Sequence, residues 1–427
     1  MTRLLLKDGL FFTQNARREV LRGNMLIEAG TITALGEVSD DMAQVIALQG
    51  KVVLPALINT HLHLGETIFR GRADGEDLFG YLDLSHNTYL RRMWNERRHE
   101  IHSLSAKVAL IESIRHGVGT VAVSRGWNEV EALGLNGFCG YPVIKIKKLE
   151  DFYRAFCEGK GLDRSRDSRR VRTALFVQSL MSVDTEALNR IHTEIQADPS
   201  LLLFIHVAET RQEIHWAWNT FAGTPINVLD AFGLLGPNTV CIHCNHLEER
   251  DVALLRDTGA KVVCCPTANL KLKTGIPPIG QLLAAGIPLA LATDGLATNN
   301  SASLLEVAKI GGLIADKPKV SPQDLLDMIT RNPARVLGLA DVKGSLEVGK
   351  AADVAVFDFY PTGLTPPENL VSHLIYNSAG ARCDTLLIDG QPIMQAGEIL
   401  TIDEAKVAAA FASLHRELEA ESSSQSI

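Results

Sequence analysis

Positive charge is in deficit in this sequence: 42 Lys and Arg stand against 50 Asp and Glu, for a formal net charge of −8. No block of Lys or Arg offsets that balance. Nucleic-acid and anionic-membrane surfaces both rest on clustered cations, so neither partner is expected. Aromatic residues are scarce as well, with 14 Phe, 6 Tyr and 4 Trp among 427 residues. Yet 46% of the chain is hydrophobic, which excludes disorder and allows a large core. No apolar stretch approaches the roughly 18–20 residues of a membrane span. The opening MTRLLLKDGLFFT lacks the long apolar segment and the small-residue cleavage site of an export signal, so a soluble, cytoplasmic protein is expected. Cysteine is few and odd in number, at Cys139, Cys157, Cys241, Cys244, Cys264, Cys265 and Cys383, which fits reduced buried thiols.

Several motifs are missing or misplaced. No G-x-x-x-x-G-K-[ST] loop and no G-x-S-x-G elbow occurs, which counts against nucleotide hydrolysis and serine-hydrolase chemistry. Gly117-Val-Gly119-Thr-Val-Ala122 matches a dinucleotide pattern, but it follows a helix and precedes a strand, the reverse of the order phosphate binding needs. Cys241-Ile-His-Cys244 has no second C-x-x-C to complete a four-cysteine zinc site.

What is present is patterned. Residues 1–54 read as short strands broken at glycines, in LLLKDGLFFT, NMLIEAGTITALG and VIALQGKVVLP. From there to about residue 340, buried-type strands alternate with amphipathic helices. Eight strands are expected: VVLPALINTHLHL, VGTVAVS, LNGFCGYPVI, VRTALFVQSL, LLLFIHVAE, NTVCIHCNHL, AKVVCCPT and IPLALATDG. The fold class is therefore α/β, a (β/α)8 barrel over 55–340, with 1–54 and 341–401 as the two halves of a small β-sandwich. The segment SPQDLLDMITRNPARVLGL reads as one helix, GSLEVGKAADVAVFDF as strand, and 402–427 as a helix followed by a frayed serine-rich tail.

The 13 histidines matter by position. His61 and His63 close the first barrel strand two residues apart, so their side chains share a face and can hold one metal ion. His206, His243 and Asp294 fall at the ends of the fifth, sixth and eighth strands, which converge at the C-terminal mouth of a barrel. Any one of them alone reads as a hydrogen-bonded core or rim residue; four strands converging on one rim do not. Glu209 lies just past the end of the fifth strand, free to lean over the mouth, where it can take a proton from the attacking water and return it to a leaving nitrogen.

With these residues in place, the sequence resembles the amidohydrolase superfamily, and within it the mononuclear deaminases and triazine chlorohydrolases. The stretches that carry the resemblance are LPALINTHLHLGETIFRG, FIHVAET, CIHCNHL, CCPTANLKLKTG, ALATDGLATNNSASLLEVAK and GSLEVGKAADVAVFD, in family order. The resemblance implies a distorted eight-stranded barrel carrying a β-sandwich built from both termini, and one divalent metal per chain, zinc first and iron or manganese otherwise. By position it makes His61, His63, His206 and Asp294 the metal ligands, Glu209 the proton shuttle, and His243 and Asp294 the groups that orient the attacking water, with polarising the substrate as a second role for His243. Relatives with two metals bridge them through a modified Lys on the fourth strand; VRTALFVQSL has none, and Gln178 stands near its mouth end. The implied partners are a small heterocyclic substrate and further copies of the chain in a homo-oligomer. The implied reaction is hydrolytic deamination of an amino-substituted purine, pyrimidine, pterin or triazine with release of ammonia, the alternatives being hydrolytic dechlorination or cyclic-amide hydrolysis at the same site.

The sequence also departs from the family. Ala56 stands where Gly usually follows Pro, Cys264 where His usually stands in the seventh-strand motif, and Gln178-Ser-Leu-Met where many deaminases have His-Ala/Ser-Pro-Tyr. The last two are expected near the substrate pocket, together with Arg125 and Glu66; Gln178, Arg125 and Glu66 are the candidate substrate contacts.

Overall fold

The computed structural model describes residues 3–424 apart from 73, 88–96, 146–149, 158–163, 360–368 and 379–380. The N-terminal segments form β1 (Arg3–Phe12), β2 (Val20–Glu28), β3 (Thr31–Gly36), β4 (Gln44–Ala47) and β5 (Lys51–Pro55). Eight parallel strands follow: β6 (Leu57–Leu62), β7 (Val118–Ser124), β8 (Asn136–Val143), β9 (Val171–Val177), β10 (Leu203–Val207), β11 (Thr239–His243), β12 (Lys261–Cys264) and β13 (Leu289–Leu291). The chain then returns to the first sheet with β14 (Val354–Phe359), β15 (Ala381–Ile388), β16 (Gln391–Gln395) and β17 (Glu398–Ile399).

The terminal sheet runs β17-β16-β15-β14-β5-β1-β2-β3, with β4 also on β1, so strands from both ends of the chain share one ladder. Its tight hairpins have a local cause. Ala29-Gly30 and Asp389-Gly390 both take positive φ, the two-residue turn whose twist matches the flanking strands. Leu4, Leu6, Phe11, Met25, Ile27, Val53, Val354 and Leu387 are buried together on one side of this sheet.

All eight expected barrel strands form, with two corrections at the segment level. The run VVLPALINTHLHL is two strands: β5 stops at Pro55 in the terminal sheet, and β6 starts at Leu57 in the barrel. At the joint, the N–H of Ala56 donates to Asp353 O, outside either ladder. The segment SPQDLLDMITRNPARVLGL breaks into helices Pro322–Asp327 and Arg331–Val336. The break has a job, because Met328 O accepts from Leu291 N and Ile329 O from Ile58 N. Those two carbonyls fill the lower part of the gap between β13 and β6, the two ends of the barrel sheet. Higher up, the seam closes directly, with Asp294 N donating to His61 O at 3.2 Å and Asn59 Nδ2 donating to Thr293 Oγ1 at 2.7 Å.

One buried cluster draws a residue from every barrel strand, among them Ile58, Ala122, Phe138, Phe176, Phe204, Ile242, Val263 and Ala290. A set that touches all eight strands is the barrel interior. Phe176 and Phe204 stack there with centroids 4.5 Å apart, and Ala334, Val336 and Leu337 join from below. The interior is therefore packed under the mouth, and open chemistry is confined to the C-terminal strand ends. Elsewhere, GSLEVGK forms turns with a single bridge at Ala351 instead of a strand. The last helix, Glu404–Ser424, runs on into the serine-rich segment and packs Leu414 and Leu418 against Ile101.

Candidate active site

The mouth is where the backbone departs from ordinary strand geometry. Arg125, Ala208, His243, Cys244 and Asp294 all have positive φ, each at or just beyond the C-terminal end of a barrel strand. Such conformations cost of order 1–3 kcal/mol per residue for side chains other than glycine, and they collect where function constrains the backbone. Here they turn the strand ends inward.

Four side chains converge at that point. His61 Nε2 lies 3.1 Å from His206 Nε2 and 3.3 Å from Asp294 Oδ1, while His63 Nε2 lies 3.2 Å from the same oxygen. Ring atoms of His61, His63 and His206 fall within 4.8 Å of one another. The His206 ring is fixed from behind, because its Nδ1 is 2.8 Å from Gln178 O, a carbonyl that only accepts. Nδ1 therefore carries the hydrogen, and Nε2 presents a lone pair to the cluster. Two imidazole lone pairs and a carboxylate at such spacings repel one another unless a cation lies among them. The separations also suit one ion, since donors each roughly 2.0–2.2 Å from a zinc stand about 3 Å apart. The donor set fits a divalent metal.

The electrostatics agree. Burial lowers the pKa of His61 to about 4 against the opposing pull of Asp294, and burial with the neighbouring imidazoles holds that of His206 well below its ordinary value. Both rings are neutral donors at neutral pH. For His63, burial is outweighed by the carboxylates of Glu66, Asp294 and Glu209, and its pKa rises. Burial would raise Asp294, but the adjoining His61 and His63 rings overcome it, and its carboxyl is held well below the usual range.

Glu209 and His243 stand beside the cluster, with Glu209 Oε1 3.7 Å from His243 Nε2. Burial, with repulsion from Asp294, pushes the Glu209 carboxyl up to about 8. These surroundings favour its neutral, proton-bearing form. Its turn is held by the next helix, Arg211–Phe221: Thr210 Oγ1 accepts from Glu213 N, and Glu213 Oε2 accepts from Glu209 N at 2.9 Å. That is a capping-box arrangement reaching one residue further back. Burial also pushes Glu213 up to about 8.

The six residues His61, His63, His206, His243, Glu209 and Asp294 are thus brought together. Glu66 joins them, its carboxylate 3.9 Å from His63 Nδ1 and accepting from the buried Tyr81 hydroxyl at 2.7 Å. Gln178 contributes its carbonyl to His206, while its side chain is exposed. Arg125 stands at the foot of the loop after β7, its N–H donating to Gly140 O. Cys264 is a correction. It is buried among the residues between barrel and helices, and strand alternation turns Cys265 to the interior instead. Sequence reasoning missed Tyr81, Glu213, Asn245 and Asn269; only Glu213 carried a signal, the T-x-x-E spacing from Thr210.

A barrel with four metal-type donors and a buried acid at its C-terminal rim defines a metal-dependent hydrolase. Residues 52–393 match the amidohydrolase family, and the chain belongs to it. It is 30% identical over 425 residues to the 5'-deoxyadenosine deaminase of Methanosarcina acetivorans, covering 95% of this chain and 96% of the relative. It is 31% identical over 374 residues to the 5-methylthioadenosine/S-adenosylhomocysteine deaminase of Moorella thermoacetica, covering 83% and 85%. Among solved structures, an adenosine deaminase from Xanthomonas campestris with bound zinc superposes with a TM-score of 0.88 at 25% identity, over 98% of this chain and 99% of that one.

Proposed function

We propose that this protein is a zinc-dependent hydrolytic deaminase, acting on the C–N bond of an amino-substituted heterocycle. An aminopurine nucleoside of the 5'-deoxyadenosine or methylthioadenosine kind is the first substrate to try, because the relatives carry those names. One ion per chain, held by His61, His63, His206 and Asp294, is part of the reading. When bound, it supplies a Lewis acid that brings the pKa of water from about 15.7 to about 7. The seven cysteines, all unpaired, support a cytoplasmic setting.

This chain's residues would then do the following. Asp294 and His243 orient the water that adds to the ring carbon bearing the amino group, and His243 Nε2 takes a proton from it. Glu209, as the neutral acid, gives its proton to the adjacent ring nitrogen. Collapse of the tetrahedral carbon breaks the C–N bond: the proton held by His243 passes through Glu209 to the amine, which leaves as ammonia, and the proton of the new hydroxyl restores Glu209. In net terms the two protons of the water end on the ring nitrogen and on ammonia. The observation that carries the reading is the placement of Glu209, whose carboxyl lies little exposed beside the four donors and 3.7 Å from His243 Nε2, where it can hand a proton to a leaving amine.

The test is metal content together with ammonia release from the zinc-loaded protein over a panel of aminopurine nucleosides, aminopyrimidines, pterins and amino- or chlorotriazines. One zinc per chain and ammonia from an aminopurine nucleoside are expected. Chloride release without ammonia from any member would overturn the proposal.

A further inference from the structure

A chain of side-chain amides runs behind the site, and its polarity can be deduced from one end. Asn245 Nδ2 is 3.1 Å from the backbone carbonyl of Glu209, which can only accept, so the amide of Asn245 must present its nitrogen there. Its oxygen then faces Asn269 at 2.7 Å, so Asn269 must present Nδ2 to it. That leaves Asn269 Oδ1 facing His243 Nδ1 at 2.7 Å. An acceptor at that distance requires the hydrogen on Nδ1, and in the neutral ring Nε2 is bare. Asn245 and Asn269 are both buried. Thr274 Oγ1, 3.2 Å from Asn245 Nδ2, holds the middle of the chain. The far side of His243 faces Glu209 Oε1, so the path closes on itself: Glu209 side chain, His243, Asn269, Asn245, Glu209 backbone.

We propose that Asn269 and Asn245 are positioning residues, a relay that fixes the tautomer of His243 and ties it to the turn carrying Glu209. The inference rests on the roles given above to His243 and Glu209. Of the two roles open to His243, a bare Nε2 accepts a proton from water and cannot donate a hydrogen bond to the substrate. The relay also couples the two proton-handling groups mechanically, because any tilt of the His243 ring pulls on the peptide that sets Glu209.

The tautomer is read directly, without substrate, from long-range proton–nitrogen correlations of the zinc-loaded protein labelled at histidine, with His243 assigned by its loss in His243→Asn. The wild type is expected to show His243 protonated at Nδ1 and bare at Nε2. Asn269→Ala is expected to lose that pattern and to lower kcat about 10–100-fold, the usual cost of removing an outer partner of a site histidine. KM should stay within about threefold and zinc content should be unchanged, as expected when the lost interaction acts on the chemical step. Asn269→Asp keeps an acceptor for Nδ1–H and is expected to restore the Nδ1-protonated pattern. Wild-type His243 protonated at Nε2 overturns the proposal, as does Asn269→Ala with unchanged kcat; should that variant fail to fold, the wild-type spectrum alone decides. Failure of every heterocycle to release ammonia would sink the deaminase reading and leave the ring signal as a separate test of the relay.

Discussion

Glu209→Gln separates acid catalysis from everything else the site does. Glutamine keeps the size, the hydrogen-bonding reach and the neutrality of a protonated carboxyl, so neither the donor cluster nor the fold is disturbed. What disappears is a transferable proton. With its carboxyl pushed up to about 8, Glu209 is about 90% protonated at pH 7 and about 10% protonated at pH 9 on a simple titration. The wild-type kcat/KM is therefore expected to fall along a basic limb centred near 8, tenfold for each further pH unit. In Glu209→Gln that limb vanishes. General acid catalysis is worth about 10²–10⁴-fold, or about 3–5.5 kcal/mol of barrier, so kcat should drop by that factor while zinc per chain stays at the wild-type value. Ammonia release by a coupled assay between pH 6 and 10, alongside metal analysis, measures both. On a substrate whose leaving group needs no proton, the same variant should lose far less. A Glu209→Gln enzyme within tenfold of wild type on an amine substrate, or one that has lost its metal, would refute the reasoning.

Three further outcomes follow from other parts of the molecule. Glu213 is raised by burial to about 8, above its unfolded value near 4.5, so in that window the folded state holds a proton that the unfolded chain has released. Stability then falls as pH rises from about 4.5 to 8, by ~5 kcal/mol in all. Glu213→Gln removes that term, and urea denaturation should show the variant gaining on wild type between pH 5 and 9 while matching it at pH 4. Asp294→Ala or His61→Ala takes away one of the converging donors, and either should leave purified protein with well under half the wild-type zinc by elemental analysis. Lys343 forms an ion pair with the buried Asp353 beneath β8, with Asn136 Nδ2 and Asp389 N also on the Asp353 carboxylate. Lys343→Ala strands that carboxylate and should cost about 3–5 kcal/mol by denaturant midpoint.

How far the site is legible in the sequence depends on which geometry places each residue. His61 and His63 are readable because a strand repeats every two residues, and His206, His243 and Asp294 because parallel strands in a barrel end on one rim. These are local periodicity plus one topological rule. Gln178 shows the limit: its position near the mouth is readable, but it is the carbonyl that reaches His206, and main-chain contacts leave no mark on residue type. Cys264 and Cys265 show another, because a one-residue change of parity exchanges core and interior. Asn245 lies in the loop after β11 and Asn269 in the short helix Pro266–Lys271 after β12, 24 residues apart, and each is an ordinary polar residue until its partner is in place. The broken segment at Met328–Thr330 was hidden for the same reason, as its helix-like composition says nothing of two carbonyls needed by other strands.

The placement of the donors also bears on why this architecture keeps them where it does. β6 and β13 are the two ends of the barrel sheet, and between them lies its weakest seam. His61 and His63 lie at one side of that seam and Asp294 at the other, and the direct main-chain bond from Asp294 N to His61 O crosses it beside their side chains. Oxygen and nitrogen donors crowded there without a cation oppose closure, because the carboxylate and the imidazole lone pairs repel. A cation held there by His61, His63 and Asp294 would draw the two strands together, and its binding free energy would become closure free energy. Ligands taken from neighbouring strands in mid-sheet would gain nothing of the kind, since the ladder already holds such strands. An ion held as proposed would thus also complete the barrel, and the left-handed turn at Asp294 is strain that this arrangement would repay.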